Sequence, residues 1–65
     1  MRNMKLNGWR IAYGKPANKP YRASFANSKN VVVKSIEGCE TEMELLIQIG
    51  YELCALDLAE ISPDG

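Results

Sequence analysis

Sixty-five residues and 7.2 kDa admit one small domain, 1–65, with a core near the lower limit for independent folding. A hydrophobic content of 46% with 25% charge excludes a wholly disordered chain. Eight basic side chains against eight acidic ones, with a pI of about 6.2, exclude the overall basic footprint of a dedicated nucleic-acid binder.

That balance conceals a polarity. Every basic residue (Arg2, Lys5, Arg10, Lys15, Lys19, Arg22, Lys29, Lys34) stands at or before position 34, and every acidic one (Glu37, Glu40, Glu42, Glu44, Glu52, Asp57, Glu60, Asp64) at or after 37. A merely soluble surface intermixes its signs. Separation into halves points to surfaces that steer a charged partner.

In chain order, residues 1–7 show no period and are expected as a loose arm leading into Gly8. Trp9, Ile11 and Tyr13 alternate with Arg10 and Ala12, the pattern of a half-buried strand. Gly14–Pro20, with two prolines, breaks that strand into a turn or wide loop. Tyr21, Ala23 and Phe25 resume the alternation, and 27–30 have turn composition. Val31–Ile36 is the most β-prone run and is expected as a buried central strand. Thr41-Glu-Met-Glu44 has the form of a capping box, with carboxylates where the helix dipole favours them. Met43, Leu46, Ile47 and Gly50 recur at helical spacing, and Gly50 reads as the helix stop. Tyr51–Ile61 suits either a continued helix or a strand apolar on both faces, and the strand is preferred because a ten-residue helix gives a three-stranded sheet little to bury against. With 62–65 as a tail, the expected fold is a small α+β domain, an antiparallel sheet with one helix on one face, in the order β-β-β-α-β.

The chemical inventory is short. Without histidine there is no Ser–His or Cys–His nucleophile system. The five glycines are too scattered for a phosphate-binding loop. Cys39 and Cys54 cannot complete a zinc site within one chain and are expected as reduced thiols. The acidic set lacks calcium-loop spacing. Catalytic residues, metal and cofactor are therefore all expected to be none. The start of the chain lacks the apolar core of an export signal, and the longest aliphatic runs fall far short of a membrane span, so a cytoplasmic protein without membrane contact is expected.

Two surfaces remain as candidate sites. One is acidic, Glu37, Glu40, Glu42 and Glu44, suited to a protein partner with a basic surface. Minimal size, an empty catalytic inventory and polarised charge resemble small phage or mobile-element proteins that inhibit a host nucleic-acid-handling machine, anti-CRISPR proteins and phage inhibitors of host RNA polymerase among them. That resemblance implies a non-enzymatic inhibitor acting through its charged face. The other surface is the basic meander, Arg10, Lys15, Lys19, Arg22 and Lys29, suited to a nucleic-acid-binding accessory module. A third expectation is a homo-oligomer in which the basic half of one copy meets the acidic half of the next.

Overall fold

A computed structural model of the chain describes residues 2–64. Its elements are β1 (Arg2–Leu6), β2 (Trp9–Gly14), β3 (Tyr21–Ala26), β4 (Val32–Cys39) and α1 (Glu42–Leu58). The strands form one antiparallel sheet in the order β1-β2-β3-β4. The α+β class with one helix on an antiparallel sheet is as expected; the element order is β-β-β-β-α, with the fourth strand at the start of the chain rather than the end.

Arg2–Leu6, expected as a loose arm, is β1, paired along its length with β2 from Arg2↔Tyr13 to Leu6↔Trp9. The two-residue link makes this possible. Asn7 (φ 50°) and Gly8 (φ 84°) both take the positive φ that a type I′ hairpin turn requires. Gly8 has a second constraint: a Cβ there would lie 2.8 Å from Cγ of Pro63, in the tail that returns over the hairpin. Ser28 N–H donates to the Pro63 carbonyl at 3.0 Å and holds that tail. Gly8→Ala should therefore lose about 1–2 kcal/mol from backbone strain, with displacement of Pro63 in addition. For a domain of this size that lowers Tm by roughly 5–15 °C in a circular-dichroism melt; an unchanged Tm would mean that the turn and tail are not held as described.

The valine-rich run is an edge strand, not the central one. Val31, Val32 and Val33 are exposed, and only Ile36 and Cys39 of β4 are buried. Register shifts between Tyr21 and Ala23 and between Phe25 and Ala26 turn parts of the strand away from the regular ladder. Such irregularities, with Lys34 on the strand, blunt an exposed edge against pairing with other chains.

Residues 51–58, expected as a strand, continue α1 through Gly50. The capping box forms as anticipated at the start: the Glu44 N–H donates to Thr41 Oγ1 at 3.1 Å. The Glu44 carboxylate reaches back one residue further than the standard motif and accepts from the Glu40 N–H at 3.3 Å. At the other end Ile61 N–H donates to the Leu56 carbonyl (2.9 Å) and Glu60 N–H to that of Asp57 (3.0 Å), the pair of bonds of a Schellman motif. Glu60, at φ 57°, takes the left-handed position where glycine is usual.

Leu45, Ile49 and Leu56 of α1 close over Trp9, Ile11, Ala23, Phe25, Ile36 and Cys39 in one core. Glu52 lies beside this core, and its Oε2, out of solvent, has the Lys34 Nζ at 3.0 Å as counter-charge. The result is a two-layer slab, 35 × 21 × 14 Å, with a radius of gyration of 11.4 Å. Its accessible surface of 4652 Å² exceeds the roughly 4,100 Å² that its mass implies. One sheet face and one helix face have no layer over them, which accounts for the difference in direction.

Candidate nucleic-acid interface

Alternation along the strands divides the sheet. Trp9 and Ile11, with Phe25 opposite Ile11 and Ala23 opposite Tyr13, point towards α1. The intervening residues therefore share the far face: Lys5 and Arg10, directly opposite one another, then Ala12 opposite Ser24, Ser24 opposite Ser35, Ala26 opposite Arg10, and Arg22 opposite Gly14. The middle row of this face carries Asn3, Ala12, Ser24 and Ser35, none of them charged. Cations stand at both ends, because Arg22 pairs with a residue four positions along β2 from Arg10, about 13 Å at strand rise.

Lys5 opposite Arg10 is a like-charged cross-strand pair, which destabilises a sheet considered alone. Both side chains are exposed. Arg10 is held in place from the next hairpin, donating through Nη1 to Asn30 Oδ1 at 2.6 Å. Asn30 stands at φ 62° in a loop organised by Asn27, whose Oδ1 accepts from the Lys29 and Val31 N–H groups at 2.9 and 3.0 Å. The basic residues named from the sequence thus divide into two on the face (Arg10, Arg22) and three on flanking loops. Lys29 lies in the β3–β4 loop, and Lys15 and Lys19 lie in the β2–β3 loop, with Lys15 Nζ 5.8 Å from the centre of the Tyr21 ring. Lys5 joins the face only because β1 exists. The sequence signal for that strand is the Asn7-Gly8 dipeptide of its hairpin turn.

The acidic set does not assemble in the same way. Glu40, Glu42 and Glu44 are exposed at the start of α1, where Glu44 is committed to the capping box and Glu42 Oε1 stands 3.9 Å from Arg2 Nη1. Glu37 lines a shallow depression with Lys19, Pro20, Arg22 and Gly38, among basic side chains.

Cys39 and Cys54 are free thiols, the first buried and the second exposed. Burial, with the nearby Glu44 carboxylate adding to it, holds the Cys39 thiol above its ordinary pKa. An acid whose folded pKa is raised contributes stability that is complete below the unfolded pKa, about 8.5 for cysteine. That contribution is lost as the pH rises from there through the folded value. The urea midpoint should accordingly fall between pH 7.5 and 9.5, and Cys39→Ala, though less stable throughout, should show a shallower fall. Parallel pH profiles would assign the loss to other groups.

A concavity of about 590 Å³ at the C-terminal end of α1 is lined by Trp9, Leu53, Cys54, Asp57, Glu60 and Pro63 among others, an exposed thiol and two carboxylates with no histidine. Among the described residues no cluster of Cys, Asp or Glu has the makings of a metal site, and no helix is long and apolar enough to cross a membrane. The chain matches no family model, no curated protein and no solved structure, so the chemistry of its own surfaces is what bears on function.

Proposed function

We propose that the protein is a non-catalytic binder of duplex DNA that uses the uncovered face of its sheet. The observation that supports this most is the pairing of Lys5 with Arg10 on a face that no other layer covers. A fold that holds two cations side by side, and fixes one of them through Asn30, has them positioned for an anion. The flat strip of Ala12, Ser24, Ala26 and Ser35 permits close approach of a large surface. The separation of about 13 Å between the cationic ends matches a major groove about 12 Å wide, which admits a β-ribbon. Double-stranded DNA is favoured over single strands because Trp9 and Phe25 are buried under α1 and Tyr13 and Tyr21 pack against the same core, leaving no aromatic platform on the basic face. The acidic-face inhibitor reading has less behind it, since Glu37 stands apart and two of the remaining three carboxylates have local partners.

The test is a fluorescence-anisotropy titration with duplex DNA, duplex RNA and single-stranded DNA. Three to six phosphate contacts imply a salt slope of roughly −3 to −5, so duplex-DNA affinity should fall roughly 60- to 1,000-fold between 50 and 200 mM salt. No binding to duplex DNA at 50 mM salt would end this reading, and equal binding to single strands would remove the duplex preference.

A further inference from the structure

The helix is apolar on two sides, and only one of them is used by the core. Leu45, Ile49 and Leu56 lie on the buried arc. At 3.6 residues per turn, Met43, Ile47, Cys54 and Leu58 lie on an arc centred about 170° away, with Tyr51 at its edge. These side chains face solvent: Met43 is 73% exposed, Ile47 52%, Tyr51 67% and Leu58 85%. Gly50 lies at the edge of the stripe opposite Tyr51, about 50° from its centre, with no atom within 4 Å of where a Cβ would be, so it leaves an open notch there. A mid-helix glycine costs about 1 kcal/mol relative to alanine, and the folded chain alone gives this one no packing role.

Charge selects the occupant. From Glu42 to Leu58 the helix carries no lysine or arginine; Glu52 is paired with Lys34 on the core side, and Glu42, Glu44 and Asp57 are exposed. A second copy docking helix to helix would set Glu42 and Glu44 against the same acidic surface. A second copy docking through its sheet would meet the large aliphatic side chains mostly with small or polar ones, Asn3, Ala12, Ser24, Ala26 and Ser35 beside Val32, in a head-to-tail contact that does not close. We propose that this face docks an amphipathic helix of another protein, one that carries lysine or arginine beside its own apolar stripe and places a large side chain over Gly50. The inference does not depend on DNA binding, which uses the opposite layer.

Cys54 reports on the face because it lies within the stripe, while the buried Cys39 serves as an internal control. The full chain is alkylated with iodoacetamide in the presence of a synthetic Leu/Ala/Lys amphipathic peptide of about the length of α1. The expected result is at least about tenfold slowing at Cys54, no slowing by the same peptide with Glu in place of Lys, and loss of protection in Ile47→Ser with Leu58→Ser. Circular dichroism of that variant should be unchanged, since both positions are outside the core. Failure of the cationic peptide to protect, equal protection by the acidic peptide, or protection that persists in the double variant would each overturn the proposal. Slow alkylation without peptide, together with a dimer mass by light scattering, would show a second copy on this face and overturn it as well.

Discussion

Phe25→Ala should remove a third or more of the protein's folding stability. The ring is fully buried at the centre of β3, opposite Ile11 of β2 and Lys34 of β4, in the core that α1 covers. Truncating a buried phenylalanine costs about 3–5 kcal/mol, because transfer free energy is lost and the cavity collapses only in part. A chain of 65 residues has roughly 3–10 kcal/mol in total, so one side chain accounts for a third of the stability or more. The single tryptophan is a convenient probe, since Trp9 is buried in the same core and its emission shifts to the red on unfolding. Urea titration followed by Trp9 fluorescence should show the midpoint lowered by a third or more. Leu58→Ala, on the solvent side of α1, should stay within about 0.5 kcal/mol of the parent. Comparable losses for the two would mean that the helix does not lie on the sheet by the Leu45–Ile49–Leu56 stripe.

How far such features were legible in the sequence depended on whether burial imprinted a period. Trp9–Tyr13 and Tyr21–Phe25 alternate because one side of each strand lies under the helix, and these strands were read with nearly the right bounds. Arg2–Leu6 was missed because β1 is an edge strand with four of its five side chains exposed, so alternation in burial hardly enters its composition. The available signal was the Asn7-Gly8 dipeptide, whose two positive φ values make a two-residue hairpin. At 51–58 the period was hidden by the helix being apolar on both sides, which resembles a strand buried on both faces. Its terminator was also hidden, since the left-handed residue is Glu60 rather than the glycine ten positions earlier. Val31–Val33 shows the limit of propensity. The residues favour a strand, but only Ile36 and Cys39 of it are buried under the helix, so the valines are exposed.

The candidate site was half legible for a related reason. Arg10 and Arg22 could be assigned to the side of the sheet away from the aromatics from alternation alone. Lys5 could not, because its position depends on a strand without a burial pattern. Nor could the sequence separate Glu37 from Glu40–Glu44: they are close along the chain, but a strand end and a tight connection intervene, and Glu37 ends beside Lys19 and Arg22.

Arg10→Glu combined with Arg22→Glu should abolish measurable DNA binding at physiological salt while preserving the fold. Both side chains are exposed on the uncovered face, and neither is part of the core, so the melting curve should move by only a few degrees. Arg10 loses its hydrogen bond to Asn30, which is an exposed contact. Each arginine that contacts a phosphate contributes about one unit to the salt slope. Residual binding in low salt should therefore show a slope shallower by about two, with carboxylates repelling the backbone in addition. Lys5→Ala should lose less affinity and about one unit of slope, the mark of a single contact removed. Glu37→Gln should act in the opposite direction, tightening binding by removing a negative charge beside Arg22 and Lys19. This combination distinguishes a specific face from general attraction. If affinity followed net charge alone, Glu60→Gln, at the far end of α1, would tighten binding as much as Glu37→Gln, and the assignment to the sheet face would fall.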